Sequence, residues 1–205
     1  MDNCRGDPKF TPARGGRPPS TIIIGLGNPI LGDDGFGWAA ARQFEAQYPD
    51  LDGVVQLEYA SLGGLSLMER LVGYDIAILI DALHLGKAPH GTLYSLSLDD
   101  LPDYSIGHTT STHDTTLRTA ILLGRSLGAQ LPHVIWIVGV ETELVYDFTE
   151  TLSPPVAGSI QSAVLLTRQV LDRLFAQPLC ITIGQPPDLH HRSLPSPPRN
   201  EADKL

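Results

Sequence analysis

Residues 21–41 have the sequence TIIIGLGNPILGDDGFGWAAA, and this stretch decides how the chain folds. Its apolar beginning, residues 21–24, predicts a buried strand, and a helix is expected after the turn. The glycine-rich turn, residues 25–37, holds two adjacent carboxylates, Asp33 and Asp34. Glycines in such a turn let a ligand approach the backbone closely, and the ligand is expected to be either a phosphate or a metal ion.

The carboxylates favour a cation over a phosphate. Gly25 and Gly27 match the first half of a dinucleotide-binding motif, but Ile30 occupies the position of the third glycine and Pro29 lacks a backbone N–H. Two like charges about 4 Å apart at an effective dielectric near 20 repel by roughly 4 kcal/mol. This repulsion exceeds the ~0.3–1 kcal/mol that a helix dipole contributes. The alternative is that an aspartate only caps the next helix, but one cap needs one carboxylate and the turn has two.

Composition excludes several classes of protein. The chain has 205 residues, of which 42% are hydrophobic, and this size allows one domain with a substantial core. A net charge of −9 argues against nucleic-acid and anionic-membrane partners. We find no apolar run long enough to span a membrane and no secretory signal in the first twenty residues. The two cysteines, Cys4 and Cys180, form no disulfide framework. A monomeric cytoplasmic protein is therefore expected.

Strands and helices alternate along most of the chain. The apolar patterns predict helices at residues 38–48, 65–72, 114–127 and 154–174 and strands at residues 21–24, 54–59, 75–81, 91–96 and 133–139. The fourth strand is expected at an edge and antiparallel, because the connection before it is too short for a helical crossover. The pattern predicts an α/β three-layer sandwich, with a twisted, mostly parallel five-stranded sheet and helices on both faces.

The two ends of the chain differ in composition from the domain between them. Residues 1–20 are polar and rich in Gly, Pro and Arg, which predicts a disordered N-terminal tail. Residues 177–205 are rich in proline, which predicts a flexible C-terminal tail. The α/β domain is therefore expected to span residues 21–176.

Three potential metal ligands follow different segments of the predicted sheet. Ligands bind beyond the carboxyl ends of the strands in such sheets, so Asp34, Asp81 and His113 are expected to converge there. Two carboxylates and an imidazole suit a divalent metal and leave positions open for water or substrate. Each residue also has a simpler explanation, since Asp81 can cap a turn and most single histidines bind no metal. The competing histidines are His108 in the same loop and, with weaker support, His84, His90, His190 and His191.

The ordered motifs resemble a known family. Gly25-Leu26-Gly27-Asn28 followed by Gly32-Asp33-Asp34-Gly35-x-Gly37 is similar to the N-terminal signature of hydrogenase maturation endopeptidases. These proteases trim the C-terminus of the large subunit of nickel–iron hydrogenases. The resemblance covers roughly residues 21–174 and continues through Ser61-x-Gly63, Ile80-Asp81-Ala82, Ser111-Thr112-His113 and Val138-Gly139-Val140.

The resemblance implies a metal site and a substrate. In this family, metal is bound by an acidic residue at the position of Asp34, by the aspartate at Asp81 and by the histidine at His113. The acidic residue at the first position is either Asp or Glu, and this chain has Asp, the shorter side chain. The metal is nickel already seated in the substrate, and other divalent metals can substitute. The implied partner is the large-subunit precursor of a nickel–iron hydrogenase.

The implied activity is that of an aspartyl-type endopeptidase that activates the hydrogenase by removing a short C-terminal extension. The chain lacks a His-Glu-x-x-His motif, a serine triad and a reactive cysteine, which is consistent with a metal supplied by the substrate. Asp33 is a weak candidate for the general base, and helix capping is its alternative role. The rival functions are a metallo-peptidase or amidase with its own metal, and a nucleotide-binding module that uses residues 25–37.

Overall fold

A computed structural model of the protein describes residues 19–101, 116–143 and 148–176. In these ranges the strands are β1 (Thr21–Leu26), β2 (Val55–Ala60), β3 (Ile76–Leu83), β4 (Leu93–Ser97) and β5 (Val134–Glu141). The α-helices are α1 (Phe36–Gln47), α2 (Gly64–Arg70), α3 (Leu117–Ser126) and α4 (Pro154–Ala176). The predicted tails fall outside these ranges, apart from Pro19 and Ser20.

The strands form one sheet in the order β2-β1-β3-β5-β4. Parallel pairs join β1 to both β2 and β3, and β3 to β5. The edge strand β4 runs antiparallel to β5, as its short connection from β3 predicts. The first strand therefore lies beside the third, and the carboxyl ends of both strands meet at one edge of the sheet.

Helices cover both faces of the sheet, so the predicted three-layer α/β architecture is confirmed. On one face α1 and α4 pack against alternate residues of the strands, such as Ile23 and Ile78. On the other face α2 and α3 pack against the intervening residues, such as Ile24 and Leu79. Each such isoleucine or leucine is completely buried, which stabilises the fold by about 1.5–3 kcal/mol per side chain.

Several boundaries differ from the predicted ones for physical reasons. β3 continues two residues beyond Asp81, because β5 continues to pair with it as far as the Leu83–Glu141 pair. α1 begins at Phe36, directly after a 3₁₀ turn at Gly32–Gly35. α3 begins at Leu117 instead of residue 114, because the Thr116 hydroxyl accepts the backbone N–H of Thr119 and caps the helix.

None of the helices within residues 19–101, 116–143 and 148–176 is both long and apolar enough to cross a membrane.

Candidate functional site

The glycines of the turn bring α1 into direct contact with the sheet. A Cβ atom on Gly25 would lie 2.5 Å from the carbonyl oxygen of Gly37. A Cβ atom on Gly37 would lie 2.2 Å from the carbonyl oxygens of both Leu26 and Ile80. Real Cβ atoms essentially never approach backbone this closely, so only glycine allows the first turn of α1 to rest on the ends of β1 and β3.

Asp34 is held where β1 ends. Gly27 has a φ of 118°, and a Cβ atom on it would lie 1.8 Å from the carbonyl oxygen of Asp34, so the turn folds tightly back on itself. The Asn28 backbone N–H donates to Oδ2 of Asp34 at 2.6 Å. The Ser61 hydroxyl donates to the Gly27 carbonyl at 2.6 Å and so ties the turn to the loop after β2. Asp34 is thereby buried, with 8% of its surface exposed.

These contacts argue against a phosphate-binding turn. A phosphate loop uses glycines so that the ligand fills the space of the missing side chains. In this turn the chain's own backbone fills that space at Gly25, Gly27, Gly35 and Gly37. The glycines therefore serve helix packing, and the nucleotide-binding alternative is not favoured.

Asp81 lies in β3, two residues before the carboxyl end of that strand. It pairs in register with Gly139 of β5, and only 1% of its surface is exposed. Its Oδ1 accepts the backbone N–H of Ala82 at 2.9 Å. Because β3 continues past this position, Asp81 does not cap the turn after the strand. A carboxylate buried inside an apolar strand is costly, and such groups are concentrated at functional sites.

Asp34 and Asp81 approach the same corner of the sheet. Gly37 follows Asp34 by three residues, and its missing Cβ leaves room for the carbonyl of Ile80, the residue before Asp81. Both carboxylates therefore belong to the junction of β1, β3 and the start of α1. The convergence of these two segments agrees with the prediction from the order of the strands.

Asp33 has a different role from the helix cap considered from the sequence. Neither the 3₁₀ turn nor α1 has a side-chain cap hydrogen bond. Instead, the backbone N–H of Ser153 donates to Oδ1 of Asp33 at 2.6 Å, and its hydroxyl donates to Oδ2 at 2.7 Å. Ser153 precedes α4, and its carbonyl accepts the N–H of Ala157. Asp33 therefore fastens the glycine-rich turn to the start of α4.

Of the six candidate histidines, two lie within the described residues and four do not. His113, His108, His190 and His191 lie outside the described residues, so the placement of His113 beside the two aspartates stays a prediction. His84 Nδ1 lies 2.9 Å from the carbonyl oxygen of Thr142, and His90 Nε2 lies 3.5 Å from Oε1 of Glu143. Among the residues that the structure describes, no three His, Cys, Asp or Glu side chains form a metal-binding group.

Glu141 is a buried carboxylate that the sequence analysis did not single out. It ends β5, two residues beyond the predicted end of that strand at residue 139, and it is 1% exposed. Its oxygens accept the backbone N–H groups of Leu85 and Gly86 at 2.9 and 3.0 Å and the hydroxyl of Tyr94 at 2.5 Å. Glu141 therefore shapes the loop that follows β3 and Asp81. The available signal was a carboxylate at the end of an apolar strand.

Glu141 and Tyr94 each shift the pKa of the other. Burial alone would raise the pKa of Glu141, but hydrogen bonds from Tyr94 and from the backbone N–H groups of residues 85–87 lower this pKa below its ordinary value. Burial, followed by the hydrogen bond to Glu141, raises the pKa of Tyr94 to about 12. The pair is therefore an ionised carboxylate bound to a neutral phenol at neutral pH.

Known proteins resemble this chain in both sequence and fold. The family model for hydrogenase maturation proteases matches residues 41–169. A hydrogenase expression/formation protein HupM of Azotobacter chroococcum mcd 1 is 30% identical over 151 residues, which are 74% of this chain and 71% of that protein. The corresponding protein HoxM of Azotobacter vinelandii is 29% identical over 153 residues, or 75% of this chain and 72% of that protein.

Solved structures share the fold. The hydrogenase maturating endopeptidase HybD from E. coli superposes with a TM-score of 0.59 at 21% identity, covering 76% of this chain and 93% of that one. The hydrogenase maturation protease HycI from Thermococcus kodakarensis superposes with a TM-score of 0.52 at 22% identity, covering 75% and 92%. The family match and the sequence relatives lead to one conclusion: this chain belongs to the hydrogenase maturation protease family, whose members are hydrolases.

Proposed function

We propose that this protein is an endopeptidase that removes a short C-terminal extension from the nickel-loaded large-subunit precursor of a nickel–iron hydrogenase. The observation that carries the proposal is a pair of buried carboxylates, Asp34 in the turn after β1 and Asp81 two residues before the end of the adjacent parallel strand β3. Membership of the maturation protease family supplies the reaction class. Ligand sites of α/β sheets lie at this edge, which supports the same location.

Nickel enters this proposal as part of the substrate. Asp34, Asp81 and His113 are the side chains that we propose complete the coordination of a nickel ion already held by the precursor. Carboxylate and imidazole donors suit a divalent ion of this kind, and other divalent metals can substitute. Buried carboxylates are strongly stabilised by a cation, so the loaded precursor is expected to bind more tightly than the empty one. A metal at the scissile bond polarises its carbonyl or a bound water.

Asp33 is proposed to position the site instead of serving as its general base. A base needs an oxygen that can reach the attacking water. Both oxygens of Asp33 already accept hydrogen bonds from Ser153 at 2.6 and 2.7 Å. Holding the Asp34 turn against α4 is a function that these bonds perform directly.

The proposed ligands can be tested by substitution in the full chain. Asp34→Asn, Asp81→Asn and His113→Ala are expected to abolish loss of the C-terminal peptide from the nickel-loaded precursor, measured by intact mass. The matched controls His108→Ala and His84→Ala should keep cleavage. If His108→Ala abolished cleavage and His113→Ala did not, the histidine assignment would be wrong. If Asp34→Asn instead bound nucleotides better, the turn would be a phosphate site.

We also propose that the protein acts as a monomer in the cytoplasm. The support is compositional: a net charge of −9 opposes self-association, and two cysteines in 205 residues give no disulfide framework. Sedimentation at micromolar concentration should give a mass near 22.1 kDa. A concentration-independent dimer would contradict the monomer.

A further inference from the structure

An apolar groove with a volume of about 360 Å³ lies beside the turn that carries Asp34. Its apolar walls include Pro29, Trp38, Ala39 and Leu152, and its charged residues are Arg42 and Glu150. This volume lies at the small end of the range for ligand pockets, which is about 300–1,000 Å³. Gly32 and Gly35 also line the groove, so it lies against the turn that carries both carboxylates.

Fixed contacts hold the walls of the groove. The indole N–H of Trp38 donates to the carbonyl of Ala60 at 3.3 Å, and its ring packs 5.5 Å from the ring of Tyr59. On the other side, Gly32 N–H donates to the Thr149 carbonyl at 2.7 Å, and Thr149 N–H donates to the Ile30 carbonyl at 3.1 Å. The hydrogen bonds from Ser153 to Asp33 complete this attachment. The groove is therefore preformed, which lowers the entropic cost of binding.

One apolar side chain of the groove is also exposed to solvent. Ile30, which lines the groove, is 47% exposed. Large apolar side chains exposed around a preformed depression are characteristic of protein-binding surfaces.

Arg42 gives the groove a chemical preference. Its side chain is exposed, and within the described ranges its guanidinium forms no hydrogen bond or ion pair. A guanidinium binds a carboxylate through two parallel hydrogen bonds. Among the described residues that line the groove, Arg42 is the group that can pair with a carboxylate, and Glu150 on the same lining restricts where that carboxylate can lie.

We propose that this groove binds the C-terminal extension of the precursor, and this inference rests on the proposed function. An apolar side chain of the extension lies between Trp38 and Leu152, and a carboxylate of the extension pairs with Arg42. The groove adjoins the Asp34 turn, so a peptide bound in it leads directly to the proposed cleavage site. It therefore determines which precursor is recognised, through KM more than through kcat.

Groove variants of the full chain test this inference with the nickel-loaded precursor. Ala39→Phe fills the groove, and Arg42→Gln removes its cation. We expect each to raise KM by about fivefold or more while kcat changes by less than about twofold. The controls are Ala46→Phe, seven residues further along α1, and Arg70→Gln on α2, both at exposed positions. Equal KM values for the groove variants and the controls would overturn the inference.

A binding measurement separates this inference from the proposed function. The probe is a synthetic peptide with the sequence of the precursor's extension, added to the chain with Trp136→Phe so that Trp38 is the remaining tryptophan. We expect the peptide to change Trp38 fluorescence in the Asp34→Asn variant, which no longer cleaves, and to bind more weakly after Arg42→Gln. No change in fluorescence at millimolar peptide would overturn the groove assignment, even if the precursor is cleaved.

The same titration identifies the source of the carboxylate. A peptide with an amidated C-terminus loses the Arg42-dependent part of its affinity if the chain terminus binds Arg42. It keeps that part if an acidic side chain binds Arg42. If Arg42→Gln weakens neither peptide, the proposed ion pair is wrong.

Discussion

The Gly37→Ala variant tests whether the glycine-rich turn exists to seat α1 on the sheet. The added Cβ atom would lie 2.2 Å from the carbonyl oxygens of Leu26 and Ile80 and 2.8 Å from the backbone nitrogen of Leu26. Ordinary contact begins at 3.4 Å, so α1 has to move away from the sheet by about 1.2 Å, the difference between these distances. Backbone atoms of two central strands cannot rotate out of the way as a side chain can.

The cost follows from two opposing terms. Overpacking a well-packed site costs about 1–3 kcal/mol, and replacing glycine by alanine within a helix returns about 0.5–1 kcal/mol. We expect Gly37→Ala to lower the free energy of unfolding by about 1–2 kcal/mol. Because the turn with Asp34 moves with the helix, the rate of precursor cleavage should fall by about 100-fold, the effect expected for a displacement near 1 Å.

Urea unfolding followed by circular dichroism measures the stability, and initial rates by intact mass measure the cleavage. The matched control is Gly158→Ala in α4, where an added Cβ atom would have no heavy atom within 4 Å. We expect Gly158→Ala to raise the free energy of unfolding by about 0.5–1 kcal/mol and to leave the rate of precursor cleavage unchanged. If Gly37→Ala behaved like Gly158→Ala in both measurements, the packing explanation of the turn would be refuted.

Three further predictions concern the hydrogen bonds of Glu141, Tyr94 and Asp33. Glu141→Ala should lower the free energy of unfolding, measured in urea, by about 3–5 kcal/mol, because it leaves the backbone N–H groups of residues 85–87 and the Tyr94 hydroxyl without an acceptor. Glu141→Gln should lower this free energy by less. The pKa of Tyr94 is raised to about 12, so its stabilising effect is present below pH 10 and is lost as the pH rises towards 12. Between pH 10 and pH 12 the free energy of unfolding should therefore fall less steeply for Tyr94→Phe than for the unmutated protein. The two slopes should differ by up to about 1.4 kcal/mol per pH unit. Parallel plots of this free energy against pH would contradict the hydrogen bond between Tyr94 and Glu141. Asp33→Asn and Ser153→Ala should each lower the free energy of unfolding in urea by about 1–2 kcal/mol, and the double variant should lower it by less than the sum of the two. Strict additivity of the two effects would argue against the hydrogen bonds between these residues.

The sequence was sufficient for the architecture because local apolar runs encode it. Strands such as β3 are apolar on both faces, which indicates a central parallel position without any knowledge of their partners. The short connection before β4 likewise required an antiparallel edge strand. Even the placement of Asp34 and Asp81 at one edge followed from the order of the strands and the rule that ligands bind at their carboxyl ends.

Side-chain contacts between residues far apart in the chain could not be predicted from local sequence patterns. Asp33 bonds Ser153, which is 120 residues away in the chain, whereas capping rules consider only neighbouring residues. Glu141 binds Leu85 and Tyr94 across 56 and 47 residues, so its position at the end of an apolar strand gave no indication of its partners. Asp81 lies inside β3 because β5 extends the pairing, and that extension depends on both strands. The position of His113 stays a prediction.

The most direct test of the account is the dependence of cleavage on nickel in the precursor. The full chain is incubated with a hydrogenase large-subunit precursor from the same cell, prepared with and without nickel, and the products are measured by intact mass. We expect a short C-terminal peptide to be lost from the nickel-loaded precursor alone, and we expect Asp34→Asn to prevent this loss. Equal cleavage of both precursors would contradict recognition of nickel in the substrate and would indicate a self-contained peptidase.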